Sequence, residues 1–134
     1  MIRRRGWAGV PGVRVRDVMV EDVIAVEPDE PLERVLRALS EASIHGVPVV
    51  EDGRLVGIVT SVDVVWALAS GEWRELRAGE VARRAVEAGP DEPLEVVLDR
   101  MAAAGQDRAV VVEEGRVVGV VTVLDAIRAL LGEG

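Results

Sequence analysis

Residues 51–63 read EDGRLVGIVTSVD, and residues 113–125 read EEGRVVGVVTVLD. The two stretches lie 62 positions apart and contain the chain's two threonines, Thr60 and Thr122. In each, a glycine stands three residues before the threonine and an aspartate three residues after it. The match extends well beyond this frame. Shifting the chain by 62 residues superposes 28–68 on 90–130 without a gap, with 21 of 41 positions identical. That degree of self-similarity marks two copies of one supersecondary unit.

Each copy has the same order of signals. A short apolar segment (23–26; 85–88) precedes Pro-Asp-Glu-Pro, whose acidic residues and early proline start a helix. The next dozen residues place Leu32, Val35, Leu36 and Leu39, or Leu94, Val97, Leu98 and Met101, on one apolar stripe. An apolar run (47–50; 109–112) and a turn (51–54; 113–116) predict a hairpin. Its second strand (55–60; 117–122) leads into a closing helix (62–69; 124–131). The expected fold is α+β, with two tandem β-α-β-β-α units packed through their sheets in pseudo-two-fold symmetry. A unit of this size buries too little surface to stand alone. The reading divides the chain into a flexible arm (1–12), unit 1 (13–70), a linker (71–78) and unit 2 (79–131), the two units forming one module.

Composition narrows the function. There is no Phe or Tyr, so the interior is built from Val, Leu, Ile and Ala. The net charge of −8 opposes a phosphate-backbone binder, and the one dense basic cluster is Arg3-Arg4-Arg5. With no cysteine and a single histidine, His45, no His/Cys metal site is expected. No apolar run reaches the roughly 18 residues of a membrane span, and no secretory h-region precedes the repeat. A cytoplasmic protein is the expectation. Four serines and two threonines are the hydroxyl nucleophiles, and no base is placed beside them. No catalytic residue is assigned, and no enzyme is expected.

The T-x-x-D frame has two chemical readings. A threonine before a helix with an acidic residue three positions on is a capping pattern that needs no ligand. The same groups can recognise an adenosine phosphate. A carboxylate accepts both hydroxyls of a ribose cis-diol, a hydroxyl beside helix N–H groups suits a phosphate oxygen, and Gly57 and Gly119 permit close backbone approach. The two readings are compatible.

The doubled unit, with VRDVM near the start, HGVPVVEDGRLVGIVTSVDV in the first copy and RAVVVEEGRVVGVVTVLDAI in the second, resembles a pair of cystathionine β-synthase (CBS) domains over residues 13–131. The resemblance implies an adenine nucleotide ligand (AMP, ADP, ATP or S-adenosylmethionine) in clefts between the repeats, and no catalytic cofactor. It implies ribose binding by Asp63 and Asp125 and phosphate binding by Thr60 and Thr122. Base-binding walls are expected from Ile24, Ala25, Gly46, Val47, Pro48, Val86, Ala109 and Val110. The second copy has Asp107-Arg108-Ala109-Val110 in place of the first copy's His45-Gly46-Val47-Pro48, and Arg108 is expected to supply charge for phosphate. Family members commonly carry threonine after the methionine that matches Met19; here the residue is Val20. The first copy therefore reads as the better site. The implied assembly is a homodimer, with Trp66 on the dimer face, that regulates a separate protein; Trp73, in the linker between the units, is expected to pack over the seam between them. A ligand-free interaction scaffold is the alternative.

Overall fold

A computed structural model describes residues 12–132. Residues 1–11 of the expected arm, with Arg3, Arg4, Arg5 and Trp7, lie outside the described residues. The elements run α1 (Val15–Val18), α2 (Leu32–Ala42), β1 (Gly46–Glu51), β2 (Arg54–Thr60), α3 (Ser61–Ser70), α4 (Ala78–Val81), β3 (Glu87–Ala88), α5 (Leu94–Ala104), β4 (Arg108–Glu113), β5 (Arg116–Thr122) and α6 (Val123–Leu130). The fold is mixed α+β, and each repeat carries its helix, hairpin and closing helix where the pattern places them.

Local chemistry accounts for these elements. Each long helix starts directly after the second proline of its Pro-Asp-Glu-Pro turn, with Pro31 or Pro93 at the N-cap. Each ends on a left-handed residue, Ser43 or Gly105. The β1–β2 hairpin turns through Asp52 (φ 54°) and Gly53 (φ 82°), and the β4–β5 hairpin through Glu114 (φ 53°) and Gly115 (φ 80°). Two successive positive φ values give the primed turn whose twist suits a two-residue hairpin. The short segment before α2 is reduced to a single parallel bridge, Val26 to Val49. Its counterpart β3 pairs in parallel with β4, Glu87 opposite Val110.

Spatial grouping differs from the sequence repeat. One compact unit comprises 24–85 with 115–117; the other comprises 12–23, 86–114 and 118–132. The segment before each helix-hairpin body thus belongs with the body of the other repeat. Arg14 donates to the carbonyl of Asp91 in one unit, and Arg77 donates to the carbonyl of Asp29 in the other. These are equivalent clamps on the two Pro-Asp-Glu-Pro turns.

The first unit buries Leu32, Val35, Val47, Val49, Val59, Val64 and Ala67 in one cluster. The second buries Leu94, Val97, Met101, Ala109, Val111, Val121 and Ala126, with Val15 from α1. Trp73 packs against the first cluster, with the Arg74 guanidinium 4.4 Å from its ring. Trp66 is 75% exposed. Among the described residues no helix is long and apolar enough to cross a membrane.

Candidate functional site

Both threonines end a strand and cap the helix that follows. The Thr60 backbone N–H donates to Asp63 Oδ2 (2.9 Å), and its hydroxyl donates to the same oxygen (2.7 Å). Thr122 does the same to Asp125 Oδ2 at 2.8 and 2.9 Å, and the Asp125 N–H returns a bond to Thr122 Oγ1 at 3.4 Å. The capping role of the frame is therefore real in both copies. The first free N–H of each helix is also occupied. Ser61 donates to the His45 carbonyl (3.1 Å) and Val123 to the Asp107 carbonyl (2.8 Å), so the loop before each middle strand closes over the helix start.

Gly57 and Gly119 admit a backbone, and it is the chain's own. A Cβ on Gly57 would lie 2.6 Å from the Arg83 carbonyl oxygen, and one on Gly119 would lie 3.0 Å from that of Val20. These approaches are backbone pairings in the same register. Ile58 and Arg83 exchange two hydrogen bonds at 2.9 and 2.8 Å. Val120 and Val20 exchange two at 2.9 Å. Because Ile58 and Val120 are repeat partners, Arg83 and Val20 are structural counterparts.

That one position divides the two copies. Arg83 Nε and Nη2 reach Asp63 Oδ1 at 2.9 and 2.7 Å, and Nε also approaches Oδ2 at 3.1 Å. Both oxygens of Asp63 accept from the guanidinium, and one accepts from Thr60 as well. Burial alone would push the Asp63 carboxyl up, but Arg83 and the Thr60 donors outweigh it and hold it below the usual carboxylate range. At Asp125, where the counterpart is a valine, the carboxylate accepts from Thr122 alone among the described residues. Asp125 lines a cavity of about 410 Å³ together with Val13, Asp17, Val18, Arg128, Ala129 and Gly132. Arg128 stands one helical turn beyond Asp125 and replaces Trp66 of the first copy.

The other expected site residues fall into two groups. Ile24 and Ala25 are exposed, and Gly46 is partly so. Val47, Pro48, Val86, Ala109 and Val110 are buried, Val47, Ala109 and Val110 completely. Arg108 is 7% exposed, and its Nε binds Asp107 Oδ1 at 3.0 Å. Sequence reasoning assigned no role to Arg83 or Arg128. Among the described residues no group of three His, Cys, Asp or Glu side chains converges as a metal site would.

The CBS domain family model matches residues 15–70 and 78–132, and the chain belongs to that family as a tandem pair. The protein MJ1225 of Methanocaldococcus jannaschii is 31% identical over 118 residues, covering 87% of this chain and 42% of that protein. The chain spans less than half the length of such relatives. Among solved structures, the CBS domain pair of MJ0100 in complex with 5′-methylthioadenosine and S-adenosyl-L-methionine is 30% identical. It has a TM-score of 0.83 over 92% of this chain and all of that one. Hypoxic Response Protein I with two coordinated zinc ions is also 30% identical, with a TM-score of 0.79 over 87% of this chain and 98% of that one.

Proposed function

We propose that this CBS pair binds an adenosine-derived ligand and acts as a regulatory module for a separate protein. The observation that carries the reading is that Asp125, its carboxylate held by Thr122, lines a cavity of about 410 Å³, within the size range of small-ligand sites. In this reading Asp125 accepts the ribose hydroxyls, and Thr122 lies beside them toward a phosphate or other polar tail. Arg128, on the cavity wall, supplies the positive charge expected of Arg108, whose guanidinium is engaged with Asp107. Thr60 and Asp63 are the equivalent pair of the first copy. The related MJ0100 structure, with two adenosine derivatives bound, supports the ligand class.

The reading includes a cytoplasmic homodimer. Val62, Val65 and Trp66 on α3, and Leu124, Ile127 and Leu130 on α6, leave apolar surface exposed on both closing helices. Such surface suits association of two copies.

Calorimetric titration with AMP, ATP, S-adenosylmethionine and 5′-methylthioadenosine tests the ligand class. Saturable binding of at least one, abolished in a folded Asp125→Ala variant, is expected. A folded protein that binds none of them is a scaffold instead.

A further inference from the structure

The two aspartates of the repeat face different partners, and the difference lies in one residue. Asp63 is clasped by Arg83 through two guanidinium nitrogens, whereas in the second copy the register counterpart of Arg83, paired with Val120, is Val20. A ribose diol binds a carboxylate by donating to its oxygens. At Asp63 those oxygens already accept from Arg83 and Thr60, in the bidentate geometry that is strongest for a carboxylate. A diol would have to displace the guanidinium. A site that must first open binds with an affinity reduced by the fraction of time it is open.

We propose that Arg83 is an internal competitor at the first-copy site, so that the chain takes one adenosine ligand at Asp125 while Asp63 stays latched. This inference rests on the ligand class proposed above and adds which site is filled and what withholds the other. It reverses the ranking drawn from the HGVP and DRAV stretches, because a side chain remote in sequence decides whether the carboxylate is available. The latch needs no ligand to form, and its strength is set by an ion pair whose arginine side chain is 43% exposed. That exposure keeps it within reach of a competing anion.

Exchanging the two counterpart residues tests the idea on the full chain. AMP and S-adenosylmethionine are each titrated into wild type, Arg83→Val, Val20→Arg and the double exchange, with folding checked by circular dichroism. Wild type should bind one ligand per chain. Arg83→Val should bind two, the second at least about tenfold tighter than any residual second site in wild type. Val20→Arg should lose the single site, and the double exchange should regain one that depends on Asp63 and not on Asp125. If Arg83→Val is poorly folded, Arg83→Gln, which cannot form the bidentate ion pair, is read in its place. Two sites in wild type, or an unchanged stoichiometry in both single variants, overturns the latch and leaves the ligand class standing. Absence of binding by every folded variant overturns the ligand class and the latch with it.

Discussion

The start of α3 and the start of α6 share a threonine and an aspartate at the same positions and end in different states. Both have a threonine N-cap, an aspartate at the third helical position and a loop carbonyl on the first N–H. At α3 the carboxylate is closed by Arg83, and at α6 it lines a cavity. Repetition therefore conserved the scaffold while one crossing residue changed what the scaffold can accept. A T-x-x-D frame shows where a carboxylate will stand, and the residue paired across from the glycine shows whether it is free.

Substitutions can break or sharpen this comparison. The largest effect should be the most symmetric. Leu32 and Leu94 are repeat partners, both fully enclosed, and Leu→Ala at either should cost about 3 kcal/mol of unfolding free energy in urea titrations. A much larger cost at one of them would mean that the two cores are not equivalent.

The aspartates should part company. Asp125→Ala removes a cap and should cost about 1 kcal/mol. Asp63→Ala removes the cap and an ion pair whose aspartate is buried, and should cost about 2 kcal/mol, held down by the exposure of Arg83. Equal costs would mean that the Arg83 pairing contributes nothing in solution.

Acid should act on both units through depressed carboxylates. Glu92 accepts from Arg100, which outweighs its burial and with the Gly89 N–H lowers it from 4.5 to about 2. Asp63 is likewise lowered. A carboxylate lowered on folding contributes stability above its unfolded pKa and loses it as pH falls toward the folded value. Unfolding free energy should thus decline from near pH 4.5 down toward pH 2. Glu92→Gln and Asp63→Asn should each flatten that decline, measured by denaturation at stepped pH. An unchanged acid limb in both variants would contradict these pairings.

The smallest effect on stability belongs to Trp66→Ser, about 0.5 kcal/mol or less, because the side chain is 75% exposed. Sedimentation should nevertheless show weaker self-association. An unchanged sedimentation profile would remove Trp66 from the proposed dimer face.

Much of this architecture was legible in the chain. The helices announced themselves by the stripes from Leu32 and Leu94, and the first hairpin by Asp52-Gly53, because those signals are local. The four-residue helices α1 and α4 were not, since a single turn shows no amphipathic period. The Arg83 clasp was hidden for two reasons. It joins residues twenty positions apart through a backbone pairing that no local pattern announces. The first copy also carries one more residue than the second before its Pro-Asp-Glu-Pro turn. A fixed shift of 62 aligns Arg83 with Glu21, whereas backbone pairing aligns it with Val20. The expected base wall is a different case. An apolar strand does not reveal which side chains face the core, and Val47, Ala109 and Val110 are all fully buried.

The most direct measurement is an amide chemical-shift titration of the isotopically labelled chain with S-adenosylmethionine and, separately, AMP. The Thr122 and Asp125 amides should move and saturate at one equivalent with at least one of them, while Thr60 and Asp63 stay in place. Movement of Thr60 and Asp63 first, or of neither pair with either ligand, would contradict it.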